Sequence, residues 1–170
     1  MESLKSDSNL LTFVCLSDTH SQHNKIKSLP PGDVLLHTGD FTYHGKRNEV
    51  ENFNDWLGKI ATIYKHRVVI AGNHEITFDI EHENFLKPRF FGCQDDFKFQ
   101  DIKDILTNCT YLEHQSTEIE GIKIFGTPYQ PWFHDWGFNR SPQELEKLMN
   151  EIPEDSDIVL THGPPKGILD

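Results

Sequence analysis

Short apolar runs, each stopped abruptly by polar residues, constrain this 170-residue chain more than any other feature. "LTFVCLS" (Leu11 to Ser17), "VLLHT" (Val34 to Thr38), Val68 to Ala71 and "DIVLT" (Asp157 to Thr161) have the length and β-branched content of strands, the last of the fully buried kind. Between the second and third, Val50, Phe53, Leu57, Ile60 and Tyr64 recur at helical spacing from Asn48 to Tyr64, a stripe that packs on a sheet. "TEIEGIKIFGTP" (Thr117 to Pro128) predicts two strands joined at Glu120-Gly121. Ser141, Pro142 and Glu144 supply an N-cap, a first-turn proline and a capping box for a helix. The stretch from 77 to 110 is irregular, with a short helix expected around Asp101 to Leu106. Strands alternating with helices make this an α/β chain. One domain is expected over residues 11–170, after a flexible N-terminal segment over residues 1–10.

Composition removes several function classes. At 36% hydrophobic and 25% charged residues the chain reads as globular, and no apolar stretch approaches a membrane span. A net charge of -11 argues against nucleic acid held by bulk electrostatics. It would also repel a phosphate substrate unless something locally positive intervenes. Cys15, Cys93 and Cys109 are odd in number and lack CxxC spacing. A disulfide framework and a thiolate zinc site are not expected, and a reducing, cytoplasmic setting is. Cys15 is read as a buried structural thiol.

The residues that end the strands carry the chemistry. The first strand leads into Asp18-Thr19-His20, the second into Gly39-Asp40, the third into Gly72-Asn73-His74-Glu75 and the last into His162-Gly163. Any one of these reads as an ordinary turn. Four together, all offering oxygen or imidazole nitrogen at the carboxyl ends of strands, point to one ligand site. Such donors suit borderline divalent ions: manganese foremost, with iron or zinc as alternatives. Asp40, with two oxygens, can bridge two ions, and a pair about 3.5–4 Å apart clamps the attacking and leaving oxygens of a displacement at phosphorus. Two dications slightly outweigh the charges of Asp18, Asp40 and a bridging hydroxide, so the filled site is attractive to phosphate.

The order Asp-x-His, Gly-Asp, Gly-Asn-His-Glu and Thr-His-Gly resembles the calcineurin-like metallophosphoesterases, from about Leu11 to Asp170. "GNHE", "GTPYQPWFHDWGFN" and "THGPPKGILD" look more narrowly like the metallophosphoesterase-domain-containing group of class III cyclic-nucleotide-phosphodiesterase-like proteins. The resemblance implies a sandwich of two mixed β-sheets flanked by helices. It also implies hydrolysis of a small phosphodiester or phosphomonoester, cyclic nucleotides among them, by a metal-bridged hydroxide. Asp18 and His20 would match ligands of the first metal, Asp40 the bridge, and Asn73 and His162 ligands of the second. His74 would match the histidine that contacts the substrate phosphate. The family pattern continues to a Gly-His-x-His motif, which is missing from these residues. A truncated form of a longer esterase is therefore expected, lacking C-terminal strands of the second sheet, with three protein ligands per ion and an edge near Asp157 to Thr161 open to self-association. That missing motif also keeps a second reading in play, a non-catalytic scaffold or binding module on the same fold.

Other candidates are weaker. His44, four residues after Asp40, could reach substrate. Glu75 could orient His74 or be a solvated or helix-start carboxylate. Arg47 and Arg140 could clamp phosphate, with surface ion pairs the better reading. His37, inside a strand, reads as a hydrogen-bonded core histidine, and His23, His66, His82 and His114 as surface residues. Tyr129, Trp132, Phe133, Trp136 and Phe138 crowd one loop, which either plugs an end of the sandwich or offers a wall for a base, the plug being favoured.

Overall fold

A computed structural model describes residues 10–92, 96–165 and 167–168. The N-terminal segment expected over residues 1–10 lies, apart from Leu10, outside the described residues. The first sheet has strands β1 (Phe13–Leu16), β2 (Val34–Thr38), β3 (His66–Ile70) and β4 (Thr110–Tyr111) in that spatial order, every pair parallel. β2 and β3 lie in its interior and are covered on both faces, which is why they read as nearly continuous apolar runs. Alternation divides their side chains. Leu35 and Val69 face the helix α1 (Arg47–Lys59) and its Val50, Phe53, Trp56 and Leu57. Val34, Leu36, Val68 and Ile70 face the other way, onto Leu112, Ile119, Ile124 and Leu160. The helical stripe outlasts its helix: α1 passes into a 3-10 turn at Ile60–Thr62, and Ile60 and Tyr64 remain buried beyond it.

The second layer is β5 (Gln115–Ile119) and β6 (Ile122–Thr127), an antiparallel hairpin, with β9 (Ile158–Thr161) parallel to β6. Glu120 and Gly121 turn the hairpin with φ of 49° and 86°, the pair of positive values a two-residue turn requires. A small pair, β7 (Gln130–Pro131) with β8 (Asn139–Arg140), closes the aromatic loop. Helix α4 (Pro142–Asn150) begins as its sequence demands, with Ser141 accepting from Glu144 N and the Glu144 carboxylate accepting from Ser141 N. This is a two-sheet sandwich with helices on the outer face of the first sheet; the first sheet is parallel throughout and the second mixed.

Several expectations are corrected. Helix α2 (Glu83–Phe90) falls inside the stretch read as irregular; it carries Pro88 within it and only Leu86 is buried, so no apolar face marks it. α3 (Phe99–Lys103) starts two residues before the short helix expected there. β9 is not fully buried: Val159 is 43% exposed, because the strand pairs with β6 alone among the described residues and its outward face is open. Cys15 is exposed, since β1 pairs with β2 only and the second sheet does not reach over it. His23 is fully buried, its Nε2 2.7 Å from Asn52 Oδ1 and its ring against Phe53 and Trp56. His66, His82 and His114 are half-buried rather than on open surface.

His37 is a core histidine, with Nε2 3.1 Å from Thr19 Oγ1. Burial pushes its pKa down from 6.5 to about 3. The unfolded chain therefore takes up a proton below pH 6.5 that the folded chain refuses. Its contribution is intact above pH 6.5 and is lost toward pH 3, at up to about 1.4 kcal/mol per pH unit. Urea titrations between pH 7 and 5 should show this slope in the wild type and a shallower one in His37→Leu. Identical slopes would rule the assignment out.

Candidate metal centre

The carboxyl ends of β1, β2, β3 and β9 converge on one rim. Beyond β1, residues 18–21 run alongside the segment after β2: Asp18 N donates to Gly39 O (3.0 Å), His20 N to Asp40 O (2.9 Å) and Ser21 N to Phe41 O (3.0 Å). Four non-glycine residues here hold left-handed backbone: Asp18, His20, Ser21 and Asp40, with φ of 53°, 39°, 57° and 54°. Such positions cost roughly 1–3 kcal/mol each and persist only where the surroundings enforce them. Beyond β3, the loop from Gly72 to Glu75 lies against the same segment, and His74 N donates to Asp40 Oδ1 (3.0 Å).

Asp40, only 4% exposed, is the hub. Its Oδ2 lies 3.7 Å from His20 Nε2 and 3.8 Å from His74 Nε2, and its Oδ1 3.4 Å from His162 Nε2. Asp18 Oδ1 is 4.0 Å from His20 Nε2, and Asn73 Oδ1 3.1 Å from His162 Nε2. Every residue that the strand-end pattern singled out as a ligand, and His74 with them, is brought together here. The three imidazoles share one arrangement. His20 Nδ1 donates to Thr42 O (3.2 Å), His74 Nδ1 to Tyr43 O (2.7 Å) and His162 Nδ1 to Thr38 O (2.9 Å). A main-chain carbonyl can only accept, so each Nδ1 carries its proton and each Nε2 is turned toward Asp40. That is how proteins fix the tautomer of a metal-binding histidine.

The donor chemistry fits cations. His162 Nε2 meets two acceptor oxygens, those of Asn73 and Asp40, so something positive must stand between them: a proton on the ring, or a metal ion. Burial works against the charged ring, but the Asp40 carboxylate outweighs it and lifts His162 to about 9. Burial likewise works against the Asp40 charge, and the hydrogen bond and charge of His162 hold its pKa below the usual carboxylate value. Asp40 sits in two clusters of ligand atoms, one with His20 and His74 and one with Asp18 and His162. Both differ from the expected partition, which joined Asp18 to His20, paired His162 with Asn73 and kept His74 apart.

A family model described as calcineurin-like phosphoesterase matches residues 11–170. The chain belongs to that family. It is 47% identical to the human metallophosphoesterase domain-containing protein 1 over 166 residues, covering 93% of this chain and 50% of that protein. It is 44% identical to the UPF0046 protein T07D4.2 of Caenorhabditis elegans over 171 residues, 91% of this chain and 42% of the relative. The chain thus spans about half the length of these relatives. Among solved structures, a protein of unknown function from Aquifex aeolicus, AQ665, overlays with a TM-score of 0.40 at 19% identity, over 87% of this chain and 76% of its own. The family implies divalent metal ions, and the cluster around Asp40 is where this chain offers candidate ligands for them.

Around this centre the secondary candidates separate. Trp136 packs 4.2 Å from the His74 ring, and His44 stacks on Trp136 at 5.7 Å, itself 6.3 Å from His74. The aromatic loop therefore divides its labour: Phe138 is buried and Tyr129 packs on the core, while Trp136 walls the site and Trp132 and Phe133 stay exposed. Trp136 also borders a cavity of about 230 Å³ lined by Asp79, Phe85, Trp132 and Asp135 among others. Arg47 pairs at the surface with Glu51 (3.8 Å). Arg140 is buried instead, bonded to Glu81 (2.6 Å) and stacked on Tyr129.

Glu75 is neither the partner of His74 nor solvated. It is fully buried and accepts four hydrogen bonds, from Asp40 N, Gly72 N, Thr42 N and Thr42 Oγ1, all at 2.8 Å. Burial, with the Asp40 charge beside it, pushes its pKa up to about 8 against the opposing pull of the hydrogen bonds from Gly72 and Thr42. The sequence carries no mark of this, because three of the donors are main-chain groups.

Proposed function

We propose that this chain is a metal-dependent phosphoesterase acting on a small phosphodiester or phosphomonoester. Asp18, His20, Asp40, Asn73 and His162 would hold two divalent ions, and His74 would face the phosphate. The observation that carries this is the set of three imidazoles, each pinned by Nδ1 to a main-chain carbonyl with Nε2 turned to one buried carboxylate. Manganese is taken as the working metal, with iron or zinc as alternatives, since mixed oxygen and nitrogen donors suit all three. Ions bound there would neutralise phosphate charge and lower the pKa of water.

The chain's own residues do the rest. Asp40 presents one oxygen to each side of the cluster. His74, oriented by Tyr43 O and by the face of Trp136, would turn Nε2 toward the phosphate and its leaving oxygen. His44, one ring further out, would meet the remainder of the ester, and the cavity beyond Trp136 would take a compact organic group, such as that of a cyclic nucleotide. We place the protein in the reducing cytoplasm. Cys15 and Cys109 are free thiols, and no helix among the described residues is long and apolar enough to cross a membrane.

His74→Ala tests the division of roles. After manganese loading, its turnover of bis-p-nitrophenyl phosphate should fall about 10²–10⁴-fold, with metal content unchanged. Loss of manganese in this variant would instead make His74 a ligand, as its place in a cluster with His20 and Asp40 allows. No turnover by the loaded wild type on any mono- or diester would sink the enzyme reading and favour the scaffold.

A further inference from the structure

Four strained residues and four strand-end segments must be held in one arrangement for the cluster around Asp40 to exist. We propose that Glu75 is the positioning residue that sets the spacing between the loop carrying Asp40 and the loop carrying Asn73, and thereby the affinity of the centre for its cations. The inference rests on the metal-centre reading above.

The geometry is specific. Glu75 Oε2 accepts from the main-chain N–H of Asp40 and from that of Gly72, the residue immediately before Asn73. One oxygen thus ties the two loops together. The other, Oε1, accepts from Thr42 N and Thr42 Oγ1, and the Thr42 carbonyl in turn accepts from His20 Nδ1. A single buried side chain therefore reaches the main chain beside three of the five ligands: Asp40, Asn73 and His20. Both oxygens are saturated, each accepting two hydrogen bonds at 2.8 Å. There is no slack to absorb a shift. Gly72 packs so closely on Asp40 that a Cβ there would stand 2.7 Å from Asp40 N. If either loop moved outward, the gap between Asp40 Oδ1, Asn73 Oδ1 and His162 Nε2 would widen with it.

A purely structural role would have the same hydrogen bonds but different consequences, and manganese titration separates the two. Glu75→Gln keeps the volume but replaces one acceptor oxygen by an amide that cannot accept, so one pair of donors loses its partner. At a temperature where circular dichroism shows the variant folded, its manganese affinity is expected to drop about 10–100-fold, the range for residues that orient metal ligands. Leu57→Ala, on the buried face of α1 and away from the rim, lowers thermal stability without touching these loops and should bind manganese as the wild type does. Wild-type affinity in Glu75→Gln, or an equal loss in Leu57→Ala, would overturn the proposal. A wild type that binds no manganese would overturn the metal-centre reading instead. Should the glutamine variant not fold, Glu75→Asp carries the same test, since it keeps the carboxyl group but is one methylene too short to bridge both loops; wild-type affinity there would equally refute the assignment.

Discussion

Asp40→Asn is expected to leave a folded chain that retains no manganese after loading and desalting, and whose phosphoesterase activity falls to background. The reasoning is in the direction each oxygen faces. Oδ1 accepts from His74 N at 3.0 Å, so an asparagine must keep its carbonyl there and turn its amide toward the Oδ2 position. At that position stand His20 Nε2 at 3.7 Å and His74 Nε2 at 3.8 Å, lone-pair atoms far enough away that an amide there meets neither a clash nor an opposing donor. The fold therefore accommodates the change. Metal binding does not: an amide N–H points at the place a cation would occupy, and the buried negative charge that draws cations in is gone. Residues that only orient ligands change metal affinity by about 10–100-fold, so removal of a ligand shared by both positions should exceed about 100-fold. Metal content by atomic emission is the measurement. About two ions kept per chain would refute the bridging role, and one kept would mean that Asp40 serves a single ion.

How much of this was legible in the sequence depended on how local its cause was. β2, β3 and the face of α1 were legible because burial on both sides leaves few residues but Val, Ile, Leu and Phe at Val34–Thr38, His66–Ile70 and positions 50, 53 and 57. The turn at Glu120-Gly121 and the cap at Ser141 were legible because a few adjacent side chains and φ angles decide them. What depends on distant partners was hidden. Cys15 lies on a strand whose alternation suggests burial, but whether the second sheet covers it is settled by strands more than a hundred residues away. His23 is surrounded by polar neighbours in sequence and by Phe53 and Trp56 in space. The candidate site shows the same division. Side chains at strand ends, Asp18, Asp40, Asn73, His74 and His162, could be picked out by type and position. The carbonyls of Thr38, Thr42 and Tyr43 that turn the imidazoles could not, because every residue has a carbonyl.

Two glycines beside the ligands make the tolerance of this rim measurable. Gly72 precedes Asn73 and Gly163 follows His162, and the same substitution at each should have opposite outcomes. A Cβ on Gly72 would lie 2.7 Å from Asp40 N and 2.7 Å from His162 Cε1, distances real side chains do not adopt. Neither neighbour can yield cheaply: Asp40 N is bonded to Glu75, and His162 Nδ1 to Thr38 O. The methyl group must therefore wedge the β3 loop away from Asp40 and His162, separating Asn73 from both. Overpacking of this kind costs about 1–3 kcal/mol. Because the displaced atoms belong to the proposed ligands, manganese affinity should fall at least tenfold as well, as it does when a ligand loses its support. A Cβ on Gly163 meets nothing within 4 Å, so Gly163→Ala should stay within about 0.5 kcal/mol of wild type and bind manganese unchanged. Urea unfolding and manganese titration on both variants decide the matter. Gly72→Ala with wild-type stability and affinity would show that the rim is loose enough to take a methyl group, and that the contact between the β3 loop and Asp40 does not control the metal centre.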